Sequence, residues 1–322
     1  MMKDVLFYRF PGEQEHRLIG KFKEIDYEVD FPEGFVISSF DKKNMYVFEE
    51  KSILTTQNLS FHSSLRLPIT ISKEEYLAQA NSFIAAIKTD KIDKAILSRV
   101  KESKIKPSEI VDYFERLCKK YPNTFVYVAS SDKFGTWMGA TPEILLKVNN
   151  QSATTMSLAG TKKDVKQEWG SKEFEEQRIV TDSLFNSIEK FAISNIEKNG
   201  PYTYNAGPIY HLRTDFKFEI KYQNILPFIK AIHPTPAVGG LPFDKAIELI
   251  NHTEKHDRKF YSGFIGLISK ESSNLFVNLR CCQLIGSSAF LYLGGGFTKD
   301  SDPFLEWEET ENKSLTLNSI FM

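Results

Sequence analysis

The sequence predicts an α+β fold rather than a doubly wound parallel sheet. Two observations carry that prediction. Strand-like stretches come in neighbouring groups, at 124–130 with 135–139, at 143–148 with 154–158, and at 261–269, 274–284 and 288–293. Helical periodicities are interspersed between these groups instead of following each strand in turn. The chain has 322 residues, is 41 % apolar and carries 26 phenylalanines, so it can bury a large core.

In chain order, residues 1–70 are irregular, with short apolar runs at 34–40 and 44–48 that read as strands. Ser72 with Glu75 spells a capping box, so a helix starts there and continues to about residue 87. Residues 92–101 read as a strand. Residues 107–120 read as a helix, because Ile110, Tyr113, Phe114 and Leu117 recur on one stripe. A long helix is expected from 171 to 198, closed by Asn199-Gly200-Pro201. Residues 209–221 are strand-like, and 224–231 and 243–256 are helical. After the last three strands, Asp302 caps a helix that opens with Pro303. No repeat, linker or low-complexity stretch divides the chain. Residues 1–70 therefore read as a short strand-rich portion of the same fold as 71–322.

Composition excludes several function classes. A net charge of −1 offers no basic excess for phosphates, so no nucleic-acid partner is expected. No apolar run reaches the ~18 residues of a membrane span, and no membrane partner is expected. The N-terminal stretch lacks a long apolar core and a small-residue cleavage site. Cys118, Cys281 and Cys282 make no disulfide framework, and no histidine is spaced with them for zinc. A reducing cytosol fits, and a cytoplasmic protein is expected.

The chemistry-bearing segment is Ser301-Asp-Pro-Phe-Leu-Glu-Trp-Glu-Glu-Thr-Glu-Asn-Lys313. On a helix, Glu306, Glu309 and Lys313 fall within about 60° of one another, while Glu308 and Glu311 point elsewhere. The helix follows the triple glycine Gly294-Gly295-Gly296. Carboxylates recruit a hard cation; glycine N–H groups and a lysine recruit an anion. The combination fits a site for a metal-chelated carboxylic acid. Glu309 and Lys313 are equally spaced for a solvated i,i+4 pair on a surface helix.

Further segments narrow the choice. They are Lys94-Ala-Ile-Leu-Ser-Arg99, Gly139-Ala-Thr-Pro-Glu143, Leu158-Ala-Gly-Thr161, His233-Pro-Thr-Pro-Ala-Val-Gly-Gly240, Glu254-x-x-x-Arg258-x-x-Tyr261-x-Gly263-x-x-Gly266 and Val277-Asn-Leu-Arg280. In this order, with the acidic helix last, they resemble the chorismate-binding enzymes. That family includes isochorismate synthase, salicylate synthase, anthranilate synthase component I and aminodeoxychorismate synthase component I. The resemblance runs from about residue 71 to 321. It implies one large unit of two stacked, mostly antiparallel sheets with helices outside, and 71–322 as the catalytic part.

The resemblance also implies residue roles. Lys94 occupies the place of the lysine that activates water in isochorismate and salicylate synthases; taken by itself it reads as a strand-edge lysine with its amine in water, the usual fate of lysine. Glu143, at a loop-to-strand junction, would be the acid for the leaving hydroxyl, with burial raising its pKa. A solvent-facing strand-start glutamate is the plain alternative. Glu176 and Glu309 would hold Mg²⁺, with Glu173 and Glu306 one turn earlier holding metal-bound waters. Acidic residues in a first helical turn are also common because they suit the helix dipole. Where the family has Glu-His, this chain has Glu176-Gln177. Arg280, Tyr261, Gly294, Gly295 and Gly296 would hold the enolpyruvyl carboxylate. Gly160, Thr161 and Lys313 would lie near the ring carboxylate. His233, Thr235 and Ala237 would line the ring's other side, though His233-Pro-Thr-Pro also makes a rigid turn.

Three segments separate the family's chemistries. Aminodeoxychorismate synthases place a lysine where this chain has Ala159. Anthranilate synthases tend to have glutamine at Lys94 and Gly-Thr at Pro236-Ala237. The residues here match the water-using branch, so no glutaminase subunit is expected. Within that branch isochorismate synthase ranks ahead of salicylate synthase.

Overall fold

The computed structural model describes residues 3–26, 33–53, 59–64, 66–162, 164–205, 209–269 and 272–322. The expected 1–70 portion lies partly outside these. The first strands are β1 (Asp4–Arg9), β2 (Glu15–Ile25), β3 (Gly34–Ser38) and β4 (Met45–Ile53). Helix α1 (Lys73–Asp90) leads to β5 (Lys94–Lys104), and α2 (Ile110–Lys120) to β6 (Phe125–Ser131), β7 (Gly135–Thr141), β8 (Ile144–Asn149) and β9 (Ser152–Lys162). Then come α3 (Ser171–Glu189), β10 (Glu197–Asn205), β11 (Tyr210–Glu219), α4 (Ile225–Ile232), β12 (Gly240–Leu241) and α5 (Phe243–Thr253). The chain finishes with β13 (Phe264–Ile268), β14 (Ser272–Val277), β15 (Cys281–Ile285), β16 (Ser288–Phe297) and α6 (Pro303–Phe321).

The α+β class is as expected; the sheet arrangement differs. The strands form one hydrogen-bonded sheet in the order β10-β11-β9-β8-β14-β13-β3-β4-β2-β1-β6-β7-β15-β16-β5-β12, not two separate sheets. Neighbours pair antiparallel. The sheet nevertheless curls so that distant strands face each other. Phe125 of β6 stacks on Phe276 of β14 with ring centroids 4.8 Å apart, although five strands lie between them in the sheet order. Tyr8 of β1 meets Phe35 of β3 at 5.0 Å. The phenylalanines fill this curled interior, where aromatic pairs add to plain burial.

Two helices start where their caps predict. Ser72 Oγ accepts from the Glu75 N–H at 3.1 Å and the Glu75 carboxylate accepts from the Ser72 N–H at 2.9 Å. The Asp302 carboxylate accepts from the Phe304 and Leu305 N–H groups at 2.8 and 3.1 Å.

Where pairing competed with propensity, pairing won. The helix expected to reach 198 stops at Glu189, and Asn199-Gly200-Pro201 lies inside β10, an edge strand on β11. The Ile193 N–H donates to the Glu219 carbonyl, turning the chain back onto that sheet. The strand expected at 274–284 splits into β14 and β15, because Arg280 takes a left-handed φ of 48°. The triple glycine continues β16 instead of ending it. Strands β1 and β2 form in a stretch that the sequence marks as irregular. Among the described residues no helix is long and apolar enough to cross a membrane. Cys118, Cys281 and Cys282 are buried free thiols.

Candidate active site

Strand β5 sorts its side chains by alternation. Ala95 and Leu97 go to the apolar cluster under α1 and α5. Lys94, Ile96 and Ser98 therefore point to the opposite face. That face opens on a pocket of about 80 Å³, where Lys94 lies beside Glu143, Glu176, Arg280, Glu309 and Lys313. Strand β16 runs antiparallel to β5, with Gly294 opposite Ser98 and Gly296 opposite Ile96. The Ile96 N–H donates to the Gly239 carbonyl and the Ser98 N–H to Glu254, both away from β16. In an antiparallel ladder their partners then also turn outward, so the peptide groups of Gly294 and Gly296 point away from β5. The Gly294 carbonyl accepts there from Lys313 Nζ at 2.9 Å.

These glycines are required by close approach. A Cβ on Gly296 would stand 2.6 Å from Glu176 Oε1 and 3.1 Å from Lys94 Cε. One on Gly294 would stand 2.5 Å from Tyr261 Oη, and one on Gly295 2.9 Å from Glu306 Oε2. Such contacts are far inside normal packing distance.

Each acidic residue of interest has a cationic neighbour or a cap. Lys94 Nζ, with the side chain 2 % exposed, sits 2.8 Å from Glu176 Oε1. Lys313 Nζ is 2.5 Å from Glu309 Oε1, which also accepts from Thr161 Oγ1 at 3.2 Å. Burial opposes ionisation of Glu309, but the Lys313 ammonium outweighs it and holds the carboxyl below its ordinary value. Glu306 Oε1 accepts from Lys172 Nζ at 3.1 Å and Ser301 Oγ at 3.0 Å. Burial, then the neighbouring Glu309 charge, push Glu306 up to about 7, against the pull of Lys172. Glu173 accepts from the Gly170 N–H at 2.9 Å, closing the N-terminus of α3.

Glu143 sits just before β8, where its carbonyl accepts from the Val277 N–H at 3.0 Å. It is 4 % exposed. Burial pushes it up to about 7, and the nearby Lys94, Lys313 and Arg280 charges limit the rise. A carboxyl poised there can donate a proton at neutral pH.

The left-handed backbone at Arg280 turns its guanidinium into the pocket. Nη1 donates to Thr316 Oγ1 at 3.2 Å and Nη2 to His211 Nε2 at 3.4 Å. His211 was missed from the sequence, since a lone histidine in a strand carries no spacing signal. Its Nδ1 lies 2.7 Å from the Gly160 carbonyl. Burial, then the Arg280 and Lys313 charges, push it down to about 3. It is therefore neutral at pH 7, and the network assigns the proton to Nδ1.

The pocket gathers Lys94, Glu143, Gly160, Thr161, Glu176, Ala237, Tyr261, Arg280, Gly294, Gly295, Gly296, Glu309 and Lys313. Glu173 and Glu306 are not among its lining residues and stand behind Gly160 and Gly295. His233 and Thr235 depart from expectation. They line a neighbouring cavity of about 280 Å³, with Glu143 and Ala237 on the wall shared by the two. His233 is held there by its Nε2, 3.4 Å from the Ser39 carbonyl, and by its edge contact with Phe264. Gln177, where the resemblance leads one to expect histidine, is buried under α3 and donates to Ser157 and Thr214.

Among the described residues, no three His, Cys, Asp or Glu side chains are gathered closely enough to hold a metal ion. The ammonium groups hold the carboxylates individually. Yet Glu306 Oε2 is buried without a partner, and the Glu176 and Glu309 charges press on Glu306. An all-oxygen donor set with one orphaned oxygen has the donor chemistry that a hard divalent cation takes.

A family model described as "Chorismate binding enzyme" matches residues 38–322. Isochorismate synthase EntC of Escherichia coli (strain K12) is 26 % identical over 282 residues, spanning 83 % of this chain and 71 % of that protein. Isochorismate synthase MenF of Bacillus subtilis (strain 168) is 30 % identical over 258 residues, 76 % of this chain and 54 % of that one. Anthranilate synthase component 1 of Aquifex aeolicus is 26 % identical over 215 residues, 61 % of this chain and 42 % of that one. In three dimensions the chain matches a putative 2,3-dihydroxybenzoate-specific isochorismate synthase, DhbC from Bacillus anthracis, with a TM-score of 0.80 and 22 % identity, over 98 % of this chain and 95 % of the other. Menaquinone-specific MenF from Escherichia coli gives the same TM-score at 17 % identity, over 100 % of this chain and 89 % of the other.

Proposed function

Because this chain belongs to the chorismate-binding enzymes, we propose that it is an isochorismate synthase, converting chorismate to isochorismate. The observation that carries the reading is the juxtaposition of Lys94 and Glu143 in one pocket whose wall holds Ala159 instead of a lysine. A base and an acid are what the reaction needs. Lys94 serves as the base: once the ammonium that pairs with Glu176 has given its own proton to solvent, the amine takes a proton from water, and the water oxygen bonds to ring carbon 2. The ring double bonds shift, and the C4–oxygen bond breaks as Glu143 gives that hydroxyl a proton, releasing it as water. One hydroxyl enters and one leaves, so no external reductant or oxidant is required.

Arg280, with its fork turned into the pocket, suits a carboxylate by two parallel hydrogen bonds. Neutral His211 and the Thr316 hydroxyl each take one Arg280 donor and leave three N–H groups of the guanidinium for the ligand. Lys313 and Thr161 serve the second carboxylate. Glu176 and Glu309 would hold Mg²⁺, with Glu306 and Glu173 behind them; the bound cation would offset the charge of the ring carboxylate. A cytoplasmic enzyme working on chorismate without a glutaminase subunit completes the reading.

The test is turnover of chorismate with Mg²⁺, in the absence of glutamine and ammonium, with the product identified by mass. Isochorismate supports the proposal. Salicylate with stoichiometric pyruvate would move the chain to salicylate synthase and keep the residue roles. An aminated main product with added ammonium would overturn the branch assignment.

A further inference from the structure

The motif Glu254-x-x-x-Arg258 has no part in the chemistry above. Both side chains are 3 % exposed. Arg258 Nε donates to Glu254 Oε2 at 2.8 Å, and Nη2 to Glu254 Oε1 at 2.6 Å. Nη2 also donates to the Ile96 carbonyl and Nη1 to the Val238 carbonyl, each at 2.8 Å. Glu254 Oε1 in turn accepts from the Ser98 N–H at 2.7 Å and the Ser98 hydroxyl at 2.8 Å. Two of these tethered groups belong to pocket walls. Ile96 lies two residues from Lys94 on the same face of β5, and Val238 follows Ala237 on the opposing loop. One ion pair thus fastens the strand carrying Lys94 to the loop carrying Ala237 and to the end of α5. Only a planar fork with several fixed donors can meet all these acceptors at once, so lysine is a poor substitute.

We propose that Glu254 and Arg258 are a positioning pair, fixing Lys94 relative to the Ala237–Val238 wall so that the lysine amine meets the water that attacks the ring. The inference rests on the reading of Lys94 as the reacting base. Neither residue lines the pocket, so the pair acts on turnover and not on affinity. A displacement near 1 Å at a reacting group costs roughly 10²-fold in rate.

The experiment compares kcat and the chorismate KM, with melting temperature, for Arg258→Lys, Ser98→Ala and Arg9→Lys. Arg9 is the control: its guanidinium ties the Tyr121, Pro122 and Thr124 carbonyls away from the pocket. Arg258→Lys should lose roughly 10- to 100-fold in kcat with KM within about threefold. Ser98→Ala should show a smaller loss of the same kind and decides the matter if Arg258→Lys does not fold. Arg9→Lys should melt earlier with kcat unchanged. A folded Arg258→Lys or Ser98→Ala with wild-type kcat, or a rise in KM alone, overturns the proposal. Lys94→Ala separates the two readings: if it keeps turnover, the assignment of the base fails. If it is inactive while Arg258→Lys and Ser98→Ala keep wild-type kcat, only the positioning role fails.

Discussion

Lys94 Nζ lies 2.8 Å from Glu176 Oε1, directly over the backbone of Gly296. A strand lysine and a helix glutamate, 82 positions apart in the chain, meet because the intervening strand position has no side chain. The pair gives both charges a partner where neither could be buried alone.

Gly296→Ala tests that packing. The added methyl would stand 2.6 Å from Glu176 Oε1. The pair must separate or the strand must shift, costing about 1–3 kcal/mol of stability. Turnover should fall by roughly 10²-fold, as expected for a displaced reacting group. Wild-type kcat in the alanine variant would show that the Lys94–Glu176 approach is immaterial to catalysis.

Glu143→Gln removes the proposed proton donor and keeps its shape. The rate should drop by roughly 10²–10⁴-fold, with chorismate affinity changing far less. A second expectation follows from its raised pKa of about 7. The folded state holds this proton more tightly than the unfolded chain does. The associated stability is therefore full below the ordinary carboxyl pKa of 4.5 and is lost as pH rises through about 7. Relative to wild type, Glu143→Gln should gain stability between these values. Wild-type kcat should decline above the same pH. Chemical denaturation at pH 5 and pH 8 with a pH–rate profile measures both; a pH-independent stability difference would refute the burial effect.

Metal dependence has a direct assay. Chelation with EDTA should abolish turnover and added Mg²⁺ should restore it. Glu309→Gln should lose at least ~10-fold in metal-dependent activity. Full turnover in metal-free buffer would remove the carboxylates from that role.

Lys94→Ala should still bind chorismate, since Arg280, Lys313 and the glycine strand remain. Isochorismate formation should fall by roughly 10²–10⁴-fold. Equilibrium binding measured alongside turnover distinguishes a lost base from a collapsed pocket. Loss of binding in step with activity would count against the base assignment.

The amino-acid sequence alone determined which residue types were available and where local structure began. The capping residues Ser72 and Asp302 set two helix starts because their partners lie within three residues. The run at 92–101 marked the strand that carries Lys94, and the folded core then showed Lys94 on the face opposite Ala95 and Leu97. Tertiary structure decided the rest. The edge pairing of β10 with β11 shortened α3, and the left-handed turn at Arg280 split one expected strand into two. His211 became visible only when curling of the sheet brought it between Gly160 and Arg280. His233 and Thr235 line the neighbouring cavity, where His233 is held by the Ser39 carbonyl just past β3, while Ala237 and Val238 of the same loop face the ring pocket. Charge balance was likewise unreadable from spacing. Whether a glutamate ionises depends on burial and on ammonium groups that approach from other elements, and those distances exist only in the folded chain.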